Sequence, residues 1–308
     1  IVSFAIIQAP PGDYLETYIA NLQASGDEVD MAEIEALKRT YGLDQPMYMQ
    51  FLKWIWKVLH GDFGQSLEFR RPINTLIGER LTLTVALSLF TILFTWSLAI
   101  PIGMFSAVKR YSVGDYAFTF FSYFGVGIPN FMLALLIMWF VYKWFGLKIT
   151  GLFSDQYIDA PWSLGRVLDM LKHIWVPMLI LGTAGTAGLT RVVRANMLDE
   201  LNKPYVQTAR AKGLAERKLL LKYPTRIALN PFVSTVGWAL PRLFSGSTIV
   251  ANILGLPTIG PLLLRSLMAQ DMFLAGSIIL ILTTLTMIGT LLSDVALAAI
   301  DPRIRMGG

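Results

Sequence analysis

Residues 81–108, LTLTVALSLFTILFTWSLAIPIGMFSAV, contain no Asp, Glu, Lys or Arg. A bilayer core about 30 Å thick needs roughly 20 apolar helical residues, so this stretch is long enough to cross it. Charge is also absent from Tyr116 to Tyr142, from His173 to Thr190 and from Met272 to Ser293, and Arg242 alone interrupts Ile227 to Leu264. Five spans are therefore expected. They explain why 54% of the 308 residues are hydrophobic and only 15% charged, a composition too apolar for a soluble domain of this length. Ile1 to Gln8 is apolar but too short to cross, and reads as the outer end of a truncated first helix. The expected fold is an all-α polytopic membrane protein of about six transmembrane helices.

Charge orients these spans. Arg191 to Arg226 carries nine Lys or Arg against three acids, and short loops rich in Lys and Arg stay cytoplasmic. Counting from this loop places Lys109, Arg110, Arg303 and Arg305 inside. Residues 9–80, 146–172 and 252–271 then lie outside. The formal charge of +5 follows from this topology, with no extended soluble domain on which to build a nucleic-acid groove. The implied organisation is a first-helix end at 1–8, an extracytoplasmic helical segment at 9–80, a five-helix core at 81–298 containing the cytoplasmic loop 191–226, and a cytoplasmic tail at 299–308.

The outer segment reads as a small helical cap. Met31 to Tyr41 is expected to be helical and to stop at Gly42, and Pro46 to begin a second helix. On that helix Tyr48, Phe51, Leu52, Ile55 and Leu59 share one face, with Lys53 and Lys57 off it. Trp54 and Trp56 are candidates for the membrane interface, although packing on the outer ends of the spans is the favoured reading of this helix.

The cytoplasmic stretch Pro204 to Pro231, PYVQTARAKGLAERKLLLKYPTRIALNP, is the most informative. Pro204 suits a first helical turn, and Gly213 can end that helix in a left-handed conformation. A second short helix is expected near Glu216 to Lys222. Tyr205, Ala209 and Gly213 recur at i, i+4 and i+8, a small-residue face that another protein's groove can approach, while Arg210, Lys212, Arg217 and Lys218 offer charge to its rim. By pattern alone, a solvated basic loop or a helix lying on anionic lipid fits as well.

TARAKGL, residues 208–214, resembles the conserved cytoplasmic loop of binding-protein-dependent ABC importer permeases. YGLDQPMYMQF, GDFGQS, RPINTLIGERLTLTVALS, GIPNFMLALL and DPRIR are similar, in order, to stretches of the dipeptide, oligopeptide and nickel permeases. The spacing from Gly213 to Pro231 also matches that branch. The long outer segment resembles the first of its two permease subunits. The resemblance implies a type I importer permease fold in a bacterial inner membrane. It implies import of peptides or similar solutes, with oligosaccharides, glutathione or nickel complexes as alternative cargo. It further implies a second homologous permease, two ATPase subunits that bind ATP and Mg, and an extracytoplasmic solute-binding protein. The ATPase-coupling residues it marks are Tyr205, Thr208, Ala209, Arg210, Ala211, Lys212, Gly213, Leu214 and Glu216. The chain departs from the family at Tyr223 and Pro224, where His then Ala is usual, and near Ala251, where an acid is frequent. Pro224 is expected to end the second coupling helix early.

Within the fifth span, GWALPRLFSG (237–246) places Pro241 beside Arg242. Pro241 loosens the helix, and an intramembrane arginine faces a cavity or a protein partner rather than lipid. Trp238, Arg242 and Ser245 are the translocation-path candidates. Arg242 either meets a solute carboxylate or pairs with the partner permease. Gly182, Gly185 and Gly188, with Ala184 and Ala187, form a stripe read as close helix packing. Asp294 reads as a solvated or paired residue near the inner end of the last span.

The chain holds no G-x-x-x-x-G-K-[ST], so the motor is expected on another chain, with no cofactor and no catalytic residue here. It has no Cys, and His60 and His173 are its only histidines, outside any H-E-x-x-H; neither a metal site nor intramembrane proteolysis is supported. An ion-coupled secondary transporter is the other rival, but no acid lies at the centre of a span.

Overall fold

The structure is a computed structural model that describes residues 19, 34–35, 38–39, 44–158, 160–229, 232 and 247–300. Ile1 to Gln8, the GWALPRLFSG run with Trp238, Arg242 and Ser245, and the 301–308 tail lie outside the described residues. So does most of Met31 to Tyr41, although Ile34, Glu35, Lys38 and Arg39 are helical.

The described residues are helical and contain no strand, only an isolated bridge between Gln65 and Pro72. In order they form α1 (Met47–Leu59), α2 (Ile73–Val108), α3 (Val113–Gly127), α4 (Asn130–Phe145), α5 (Leu164–His173), α6 (Trp175–Leu201), α7 (Pro204–Ala211), α8 (Glu216–Lys222), α9 (Pro224–Ala228), α10 (Ile259–Met268) and α11 (Met272–Ile300). Residues 247–253 are also helical. Helices α2, α6 and α11 are long and apolar enough to cross a membrane, and α3 with α4 makes a fourth candidate bent by 101°.

Backbone breaks interrupt two of the apolar stretches. The charge-free stretch Tyr116 to Tyr142 is not one helix. Pro129 lacks an N–H and forces Ile128 into extended backbone (φ −94°, ψ 121°), so α3 ends and α4 starts afresh. The stretch Ile227 to Leu264 is also interrupted. The Gly255 N–H donates to Asn252 O (3.2 Å) and the Leu256 N–H to Ala251 O (2.8 Å), closing a helix end around Gly255 at φ +63°. α10 begins only at Ile259.

The chain divides into two compact units, one of residues up to Leu83 with Thr258–Thr284, the other of Thr84–Pro257 with the residues from Leu285 onward. In the first, α1 packs Trp54 against Met272 and Ala275, with Phe51, Ile55, Val58 and Phe273 around them. Trp54 is thus core rather than an interfacial belt residue, and Tyr48, Leu52 and Leu59, expected on the packed face, are exposed.

A buried carboxylate ties this unit together. Asp271 Oδ2 accepts from Ser66 Oγ (2.5 Å) and from the Glu68 N–H (3.1 Å), and Oδ1 accepts from the Leu274 N–H (3.1 Å). Burial pushes its carboxyl above the usual range despite these bonds. Because the folded-state value is raised, its linkage stabilises at low pH and is lost as pH rises through that value. Thermal melts should therefore show a stabilising contribution on acidification towards the ordinary carboxylate range, absent from Asp271→Ala. At neutral pH that variant leaves three donors without an acceptor and is expected to lose about 1–3 kcal/mol.

In the second unit the small-residue stripe packs helices closely. A Cβ on Gly182 would stand 2.6 Å from Phe94 Cδ1, and one on Gly125 3.2 Å from Ala187 Cβ. Gly103 brings α2 against α6, since a Cβ there would meet Val193 Cβ at 2.6 Å. Gly188 faces open space and takes no part.

Candidate coupling site

The expected cytoplasmic loop begins as helix, because α6 continues past Arg191 and Arg194 to Leu201. After a turn, Pro204 occupies the first turn of α7, where its missing N–H costs nothing. The helix closes at Gly213, φ +75°. The Gly213 N–H donates to Arg210 O (3.0 Å) and the Leu214 N–H to Ala209 O (3.3 Å), which satisfies carbonyls the helix end would leave bare. α8 then runs from Glu216 to Lys222. Tyr223 (φ −111°, ψ −77°) precedes Pro224, which opens α9, so the stop expected at Pro224 is where the chain turns.

α7 and α8 enclose a core of their own. Val206, Ala209 and Leu219 are buried, with Tyr205, Leu214, Leu220 and Tyr223 packed around them. The Tyr205 hydroxyl donates to the Glu200 carboxylate at the end of α6. Ala209 and Tyr205 therefore face inward rather than out. The exposed surface is formed by Gln207, Thr208, Arg210, Ala211, Lys212 and Gly213, followed by Glu216, Arg217 and Lys218. Arg210 spans the turn to Glu216 through Nε (3.2 Å to Oε2) and Nη2 (2.6 Å to Oε1). That bonding holds the Glu216 carboxyl below its usual range, so the pair is charged at neutral pH and breaks only when pH falls through the lowered value.

The module is mounted on a rigid base. α9 packs Ala228, followed by Phe232, against Val193 and Met197 of α6 and Ala99 and Ala107 of α2. Phe232 meets Trp96 edge to face at 5.7 Å between centroids. The Thr225 hydroxyl lies 3.8 Å from Met104 Sδ and 3.9 Å from Met197 Sδ. α7 and α8 are thereby joined to α6 and α2 through packed side chains, which deform little.

A second connection was not anticipated from the sequence. Arg194 on α6 binds Asp115 in the first turn of α3 through Nε to Oδ1 and Nη2 to Oδ2, both 2.9 Å. The Asp115 side chain is 3% exposed and that of Arg194 28%. The Tyr111 N–H adds a bond to Oδ2 (3.0 Å), and Ser112 caps the helix by accepting from the Asp115 N–H (3.2 Å). The residues stand 79 apart in sequence. Only Asp115 at an N-terminal helical turn was a local signal, and that reads as ordinary capping chemistry. Asp294, near the far end of α11, is exposed.

Residues 99–306 match the family described as "Binding-protein-dependent transport system inner membrane component". Over 305 residues, 99% of this chain and 93% of the relative, the sequence is 35% identical to the oligopeptide transport system permease protein AppB of Bacillus subtilis (strain 168). It is 28% identical over 321 residues to the dipeptide transport system permease protein DppB of Escherichia coli (strain K12), covering 99% and 93%. Against the oligopeptide transport system permease protein OppB of Mycobacterium bovis it is 31% identical over 285 residues, covering 89% and 86%. In fold it is similar to a chain of the MetNI methionine ABC transporter solved in inward-facing conformations, with a TM-score of 0.56 and 16% identity over 73% of this chain and 96% of that one.

Proposed function

The chain belongs to the family of inner membrane components of binding-protein-dependent transport systems, and from that premise we propose that it is one permease subunit of an ATP-binding-cassette importer carrying peptides or similar small solutes into the cytoplasm. The near full-length similarity to oligopeptide and dipeptide permeases supports the cargo. Its partners are a second homologous permease, two ATPase subunits that bind ATP and Mg, and an extracytoplasmic solute-binding protein. The site of action is a bacterial inner membrane.

The observation that carries the coupling role is the α7–α8 pair, closed on its own small core with an exposed outer surface and joined through α9 to α6 and α2. Residues 207–213 and 216–218 dock in a cleft of the ATPase, ATP-driven closure moves the arm, and the spans rock between outward and inward openings. Trp238, Arg242 and Ser245 line the solute path, with the Arg242 guanidinium receiving a peptide carboxylate.

Reconstituted importer should accumulate labelled oligopeptides in proteoliposomes only with ATP and the binding protein present. In the same vesicles Arg242→Ala should shift selectivity away from solutes with a free carboxylate. A binding protein that takes only sugars in a thermal-shift screen overturns the peptide assignment. Unchanged selectivity in the Arg242 variant removes that residue from the path.

A further inference from the structure

Helix α1 carries two faces that its own core does not use. Tyr48, Leu52, Trp56 and Leu59, spaced i, i+4, i+8 and i+11, are 64%, 57%, 66% and 74% exposed. With roughly 100° per residue they form one apolar stripe. Lys53 and Lys57 follow next around the helix, between that stripe and the buried Trp54. They border a cavity of about 290 Å³ with Arg39, Gln50, Trp54 and Phe273. Among the described residues no carboxylate pairs with Arg39, Lys53 or Lys57. The nearby Asp62 accepts from the Gly64 N–H (2.8 Å).

We propose that α1 lies in the membrane interface and that the Arg39–Lys53–Lys57 cavity binds the phosphate headgroup of an anionic phospholipid, whose acyl chains run along the Tyr48–Leu52–Trp56–Leu59 stripe. Three features commit the site to lipid. The opposite face of α1 rests on Met272 and Ala275, the first turn of the membrane-crossing α11, which sets α1 at the level where that span begins. An exposed apolar stripe beside paired lysines is the pattern of an interfacial helix, with the lysine stems following the apolar surface to a charged headgroup. The cavity is at the small end for ligand sites, the right order for a headgroup but not for a whole lipid. The site depends on the chain's membrane setting and not on its cargo.

The test is native mass spectrometry of the purified importer complex after detergent exchange, titrated with phosphatidylglycerol or phosphatidylcholine. The wild type should retain phosphatidylglycerol preferentially, and removal of two cations in Lys53→Gln/Lys57→Gln should lower that retention by about 30-fold. Leu52→Ser/Trp56→Ser should weaken retention of both lipids. Both pairs are exposed, so elution as an intact complex is expected throughout. Phosphatidylglycerol preference that survives the lysine changes overturns the proposal. Displacement by millimolar inorganic phosphate also overturns it, in favour of a free-anion site. Crosslinking of Lys53 to the solute-binding protein in lipid nanodiscs assigns the face to that partner instead.

Discussion

Gly213→Val is expected to abolish solute-stimulated ATP hydrolysis while leaving the importer assembled. The residue holds φ +75° and a Cβ there would meet nothing within 4 Å, so the penalty is entirely in the backbone. A β-branched residue forced into the left-handed region costs about 1–3 kcal/mol. The helix end relieves that cost by giving up the two hydrogen bonds that close α7 onto Arg210 and Ala209. The arm then loses the turn that orients α8, and stimulation should fall by about tenfold or more. Gly213→Asn is the matched control, because Asn tolerates the left-handed conformation and should keep most of the stimulation. Stimulation of the Val variant at the wild-type level would remove the turn from the coupling route.

The second large effect concerns Asp115 and Arg194. Removing one partner strands the other charge in a site where the carboxylate is 3% exposed. Breaking a buried pair costs about 3–5 kcal/mol, and the lower end applies here because the Arg194 side chain keeps 28% of its surface. Arg194→Ala should therefore lower the unfolding midpoint of the purified complex. It should also reduce the ratio of solute-stimulated to basal ATPase activity, because α3 loses its charged tie to the helix that bears the arm. Asp115→Asn, with Arg194 intact, should show a smaller loss of stability and the same fall in the ratio. A double-mutant cycle that gives no coupling energy between the two positions would reduce the pair to a surface contact.

Much of the coupling arm was legible because its signals are local. Pro204, Gly213 and Pro224 each act on the backbone within a residue or two, and they set where α7 and α8 begin and end. The placement of spans was legible more coarsely. Absence of charge locates apolar stretches, but it cannot see a backbone break inside one. Pro129 carries that information, because it lacks an N–H and turns Ile128 to extended backbone. The facing of residues was harder to read. Ala209 and Tyr205 look like a docking surface by spacing, yet the same spacing serves the contact between α7 and α8. Trp54 and Leu52 sit on the same short helix, and only the surface of α11 determines which is buried. The Asp115–Arg194 pair was out of reach, since nothing at one position points to the other until the helices are packed.

The claim that a separate motor moves this chain through the α7–α8 arm is tested most directly by photocrosslinking in the native assembly. Probes placed singly at Gln207, Thr208, Ala211 and Lys212 should each capture a nucleotide-hydrolysing subunit, while probes at the buried Val206 and Leu219 should not. Failure of every exposed position to capture such a subunit, in an importer that still transports, would contradict the account.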